Sequence, residues 1–362
     1  MYMREETLTG RTIYYDHLRV FATLAVMMLH TASENWYGTD VNGRDWFVFN
    51  FYDSIVRWGV PVFVMISGAL FLKKEVPIKK IYSKYVLRMF VAFVSWSFIY
   101  YIGVINPKEN FINLFLPGNF NRLIAIASSH YHMWFVPMIA GIYICLPIIK
   151  KIVDDEKTAN YYLIVSFVFW ALLPQIKQLI ADFGSESANL AANAIYGNIN
   201  SMNMNLVCSV VFYFILGHKL AQHSFKATQR IAIYICGLLG FAFTIIVDLI
   251  LALKNQTPIS TYYGNSCINV LFEAVSIFVI FKYAPFKQNR WYKKVIVSLS
   301  KWSFGAYLVH VLVLDTLNHY GINSLTWNSA VATPFVTLIV FIISFGISGI
   351  LNNIPIVKKY IV

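Results

Sequence analysis

Tyr15-Asp16-His17-Leu18-Arg19 opens the first apolar run of the chain, and Met28-Leu29-His30 closes it. Arg19 and His30 stand eleven residues apart, which on a helix returns almost to the same direction about 16 Å further along the axis. Both side chains therefore share one face, roughly half a bilayer apart. An ionisable group inside an apolar span is costly, and its retention points to function. A line of polar groups through hydrocarbon suits a long, partly anionic ligand.

The rest of the chain supports a membrane setting. It is 58% hydrophobic and 13% charged, with a mean hydropathy of +0.60, outside the range of ordinary soluble domains. Ten stretches approach the length of about 20 apolar residues needed to cross a bilayer: 13–32, 55–72, 82–105, 131–149, 160–180, 205–222, 231–253, 263–282, 303–320 and 329–351. The expected fold class is all-α, one polytopic membrane domain over residues 1–362. With both termini cytoplasmic, 23 of the 29 Lys and Arg fall on the inner side, and Arg44, Arg57, Lys108, Arg122, Lys177 and Lys254 on the outer. That is a strong positive-inside bias, and it accounts for the net charge of +12 without nucleic acid as a partner.

Cys145, Cys208, Cys236 and Cys267 have no pairing framework or metal-ligand spacing, so neither a disulfide scaffold nor a metal site is expected. The chain has no Gly-rich phosphate loop and no zinc signature. It also lacks an evident repeat of its halves, a feature of many transporters.

The second polar cluster lies where the chain re-enters the membrane from inside. Lys73 to Lys80 read as an anchor of snorkelling cations. Lys84 and Arg88 form an i,i+4 pair about one turn into the third span, at the depth of Arg19, and offer a phosphate site.

Asp16-x-x-Arg19 with His30, Pro61-Val62-Phe63-Val64-Met65-Ile66-Ser67-Gly68, and Lys84-x-x-x-Arg88 resemble signatures of the integral-membrane acyltransferase type 3 family. So do His132-Met133-Trp134-Phe135 leading to Pro147, and Ser303-Phe304-Gly305-Ala306-Tyr307-Leu308-Val309-His310. The similarity spans essentially the whole chain. That family includes surface-polysaccharide O-acetyltransferases such as the enterobacterial-common-antigen enzyme. One departure is Lys84, where many relatives carry Arg, which keeps charge but loses bidentate geometry.

The resemblance implies transfer of an acyl group, usually acetyl, from cytoplasmic acyl-CoA to a hydroxyl of a cell-surface glycan or similar acceptor, in a multi-pass protein of the bacterial cytoplasmic membrane. Acyl-CoA is then a donor substrate, with no covalently bound cofactor. Arg19, Lys84 and Arg88 are the candidate donor-binding residues. His30 is the candidate general base or transient acyl carrier. Glu34, one turn beyond, is a candidate to fix its tautomer; the plainer reading of Glu34 is a solvated loop acid. Asp16, Ser67, His132, Trp134, Glu273, Tyr307 and His310 are candidates for the acyl path or acceptor site. For Glu273 and His310 structural pairing or packing is as good a reading, and Trp134 also suits the interfacial belt. Asp248 and Asp315 read as structural residues facing loops. Trp36, Tyr37, Trp46, Phe47, Tyr52, Phe111, Phe115, Phe120 and Tyr131 suit either that belt or a sugar-stacking surface. The stretch 181–204 reads as a loop able to cover an acceptor. Membrane lipids and a second copy of the chain are the other expected partners. The rival reading is a secondary transporter or exporter of a glycan or acyl compound, without chemistry.

Overall fold

The computed structural model describes residues 11–102, 130–287 and 289–362. The described residues are 79% helix, with no strand among them. Lys108, Arg122, Phe111, Phe115 and Phe120 lie outside the described residues, as does the end of the 82–105 stretch.

Helix α1 (Tyr14–Ser33) runs through the centre of the molecule. It packs against α2 (Arg44–Ser54) and α3 (Gly59–Phe71), and against the later helices α11 (Ile268–Tyr283), α12 (Arg290–His319) and α13 (Ser329–Leu351). Leu18, Ala22 and Met27 are fully enclosed. The polar residues of α1 find local partners, as hydrocarbon surroundings demand. Thr23 donates to the carbonyl of Arg19 at 2.8 Å and Thr31 to that of Met27 at 2.9 Å. Asp16 is buried and pairs with Arg11 at 2.5 Å.

Small residues bring helices into backbone contact, the usual device for helix association in lipid. Helix α3 lies against α9 (Val211–Gln222). A Cβ on Gly68 would sit 1.7 Å from the Phe214 carbonyl oxygen, and one on Gly217 would sit 2.2 Å from that of Met65. The same device joins α10 (Ala227–Asn255) to α11, where Gly240 meets the Asn269 carbonyl.

Among the described residues, six helical segments are long and apolar enough to cross a membrane: Arg44–Phe71, Glu156–Phe183, Ala227–Asn255, Thr261–Tyr283, Arg290–His319 and Ser329–Leu351. A seventh arises if α5 (Phe135–Ile144) and α6 (Leu146–Asp154), bent by 58°, form one span. The break follows from Pro147, which opens α6 and has no N–H to continue the ladder.

Three stretches depart from the sequence reading. The helix α4 (Leu87–Tyr100) is preceded by a widened helical turn, Ile81–Val86, so the stretch is not one regular helix. The 205–222 stretch contributes only α9, of 12 residues. Residues 181–204 are not a loop: α7 (Glu156–Phe183) continues into them, and Ser185 then caps α8 (Glu186–Asn200).

Candidate active site

Two cavities meet near the middle of α1. The outer one, about 720 Å³, is lined by His30, Glu34, Tyr37, Asp53, Arg57, Tyr131, Trp134, Tyr263 and Asp315. The inner one, about 420 Å³, is lined by Arg19, Ser67, Tyr85, Arg88, Tyr143, Ser300, Lys301, Tyr307 and Lys358. Val26 and Val60 belong to the walls of both. The helical spacing of Arg19 and His30 thus places one residue in each cavity.

In the inner cavity, Arg19 donates to Ser300 Oγ at 3.1 Å. Arg88 donates to the Val362 carbonyl at 2.6 Å and lies 5.3 Å from the ring centre of Phe304. Its Nε has no hydrogen-bond partner among the described residues. Lys301 and Lys358 complete a ring of cations that the sequence reading did not single out. Lys84 is not in this ring. It is exposed, and its Nζ lies 5.8 Å from the ring centre of Tyr85. It lies in the widened turn Ile81–Val86, and Arg88 lines the inner cavity where Lys84 does not.

In the outer cavity, His30 is surrounded by rings. Its centroid lies 5.3 Å from Tyr131, 5.1 Å from His310 and 6.3 Å from His132. Its Nδ1 is sealed from solvent and has no hydrogen-bond partner among the described residues. Glu34 does not reach the imidazole; only its backbone N–H meets the His30 carbonyl, at 3.1 Å. The carboxylate instead lines the cavity with an unpartnered Oε2 among the described residues. Burial, and then the charge of Asp315, push its carboxyl up to about 7. Helical spacing of four put the two residues on one side but said nothing of χ angles, and here the acid turns to the cavity.

His132 and His310 stand behind His30, off both cavity walls. The Tyr307 hydroxyl donates to the His132 carbonyl, and His310 Nδ1 lies 2.5 Å from the Tyr307 carbonyl. A carbonyl only accepts, so Nδ1 carries the hydrogen and Nε2 is the basic nitrogen. Ser67, in the inner cavity, donates to the Phe63 carbonyl at 2.9 Å. Trp134 lines the outer cavity, half exposed.

Other expectations change. Glu273 lies in neither cavity. It is buried between α10 and α11, where Thr244 donates to it at 2.5 Å and Asn269 donates to Thr244 at 2.8 Å. Asp16, tied to Arg11, is likewise away from both cavities. Asp248 does hold a loop: it is buried and accepts the backbone N–H of Tyr262, in the connection between α10 and α11, at 3.2 Å. Asp315 belongs to the outer cavity and lies 3.8 Å from His130 Nε2. Trp36 and Trp46 are core, stacked 5.8 Å apart over Phe49 and Tyr263, and not an interfacial belt.

Arg57, Asp53 and His130 escaped the sequence reading. Arg57 pairs with the buried Asp53 one turn before it. The Asp-x-x-x-Arg spacing was the available signal. His130 stacks on Tyr100 at 4.8 Å, and burial lowers the basicity of its imidazole.

No curated protein and no solved structure matches the chain. A family model described as an acyltransferase domain matches residues 12–352, which include every residue of both cavities except Lys358. The chain therefore belongs to the acyltransferase type 3 family.

Proposed function

We propose that this membrane acyltransferase moves an acyl group, acetyl in the first instance, from acyl-CoA in the inner cavity to a hydroxyl acceptor in the outer one. The observation that carries the reading is the pair of cavities with opposite chemistry and a common wall at Val26 and Val60. Arg19, Arg88, Lys301 and Lys358 suit the phosphates of CoA, with Arg88 offering a planar fork. The pantetheine arm is long and narrow, as a path from Arg19 to His30 requires.

His30 removes the proton of the acceptor hydroxyl as that oxygen attacks the thioester carbonyl. The carbon–oxygen bond forms, the carbon–sulfur bond breaks, and CoA leaves as its thiolate. The acceptor is a surface glycan or related polyol, for which Tyr37, Tyr131 and Trp134 offer stacking faces. The topology follows the charge bias: ten spans, with the inner cavity toward the cytoplasm of a bacterial cell.

The test is thiol release from acetyl-CoA by protein reconstituted in lipid nanodiscs, with and without surface glycan, followed by mass spectrometry of the glycan. Glycan-dependent release with ester formation is the expected result. Absence of any transfer, with intact binding of a glycan, favours the carrier without chemistry.

A further inference from the structure

The four histidines around the outer cavity come from three separate parts of the chain, and His30 is the only one on the cavity wall. Three of their nitrogens are sealed from solvent and lack hydrogen-bond partners among the described residues: His30 Nδ1, His310 Nε2 and His132 Nε2. His310 is fully buried. Leaving a buried donor or acceptor unsatisfied costs about 1–3 kcal/mol, so three such atoms on neighbouring rings call for an explanation. The ring centroids of His30 and His310 are 5.1 Å apart. That is close to the span of one N–H···N bond of ~2.9 Å plus the radii of two imidazoles, so a small ring rotation joins them.

Beyond His310 the series continues. His132 lies 5.2 Å from it, ring centre to ring centre. His132 Nδ1 is 3.2 Å from His130 Nδ1, and His130 Nε2 is 3.8 Å from Asp315 Oδ2. Asp315 lies on the wall of the outer cavity. The line starts and ends at the same cavity and passes behind its wall.

Building on the acyl-transfer reading above, we propose that His310 is the proton partner of His30, and that His132, His130 and Asp315 carry the proton back to the water of the outer cavity. In the resting state His30 holds its hydrogen on Nδ1, toward His310 Nε2, and turns its Nε2 lone pair to the acceptor. As Nε2 takes the hydroxyl proton, the Nδ1 proton passes to His310 Nε2. His310 keeps its own Nδ1 hydrogen on the Tyr307 carbonyl, so it becomes a cation until Nε2 hands the proton to His132. His30, His132 and His130 each accept at one nitrogen and release at the other, while His310 accepts and releases at Nε2 by turning from His30 to His132, and no net charge is left behind. His310 thus orients His30 as a triad carboxylate would, the place that sequence spacing suggested for Glu34, but unlike that carboxylate it also takes the proton. Glu34, Asp53 and Arg57 face the same cavity but stand outside the line.

The relay predicts a dependence on the acceptor that packing alone does not. Water and glycerol must lose a proton during attack. Hydroxylamine attacks as a neutral amine and sheds its proton afterwards, so it needs little help from a base. With nanodisc-embedded full-length protein and acetyl-CoA, His310→Gln should lower kcat for water and glycerol about 100-fold, within the range for lost base catalysis. The KM for acetyl-CoA and the formation of acetohydroxamate should stay within about threefold of the parent. The proton inventory of the parent protein in mixed H₂O and D₂O should be curved, showing more than one proton in flight, and needs no variant to fold. Asp315→Asn, near the cavity mouth, should slow glycerol transfer about tenfold. Equal losses with glycerol and hydroxylamine in His310→Gln, or a linear inventory, would overturn the relay while acyl transfer by the parent stands. A parent protein that transfers acetyl to none of these acceptors would instead remove the reading on which the relay rests.

Discussion

The guanidinium of Arg57 lies 4.0 Å above the ring of Tyr263 and pairs with Asp53, a carboxylate almost wholly enclosed. Removing one partner of such a pair leaves a buried charge without compensation. Arg57→Ala should therefore lower stability by about 3–5 kcal/mol. The double variant Arg57→Ala/Asp53→Asn should recover part of that loss. Thermal unfolding in detergent, compared across the three proteins, checks both statements.

His30→Ala should reduce thiol release from acetyl-CoA by about 10²–10⁴-fold with unchanged membrane insertion. His30 lines the outer cavity and sits where an acceptor would meet a thioester arriving along α1. Turnover within tenfold of the parent, in a well-inserted variant, would remove His30 from its assigned role.

Arg19→Ala and Arg88→Ala should each weaken acetyl-CoA binding by roughly 10- to 150-fold, the equivalent of one charge-assisted contact of about 1.5–3 kcal/mol. Acetyl-pantetheine, which lacks the nucleotide phosphates, should bind all variants alike. Lys84→Ala should change either affinity by less than about threefold, because Lys84 is exposed outside the inner cavity. Donor titration by calorimetry separates these outcomes.

Glu34 gives the protein a pH signature. Its carboxyl is raised from 4.5 to about 7 by burial and by the charge of Asp315. Between those two values the folded state holds a proton that the unfolded state has released. Stability must then fall as pH rises through that window, and it stays lower above pH 7. Glu34→Gln should remove this slope, matching the parent near pH 4.5 and exceeding its melting temperature at pH 8. A parallel pH dependence in both proteins would contradict the assignment.

Gly217→Ala should prevent correct folding. The added methyl would meet the Met65 backbone, which cannot move aside as a flexible side chain could. Ala at Gly141, where nothing lies within 4 Å, should be tolerated and serves as the control in size-exclusion chromatography.

Much of this arrangement was legible in the sequence because helical geometry is local. The spacing of Arg19 and His30 was enough to put both on one side of α1, half a bilayer apart, and the apolar runs located most helices. What depended on tertiary folding was not legible. No local rule brings Asp315 beside His130, or Lys301 and Lys358 beside Arg19. Nor does a period of four decide whether Glu34 turns to His30 or to the cavity. Nor did the sequence show that Lys84 lies in a widened turn, Ile81–Val86, where a regular α-helix was expected.

The shared wall at Val26 and Val60 has a consequence for the electrical integrity of the cell. On the proposed topology each cavity opens toward a different compartment, and Val26 and Val60 stand in the wall they share. A short apolar constriction can hold back ions by refusing to stay wet. The same two methyl-bearing side chains that would let a thin acyl arm through must therefore also act as a seal against leakage when no donor is in place. Selection at these positions then answers to conductance as well as to turnover, and enlarging the passage for a bulkier acyl group carries the risk of a leak.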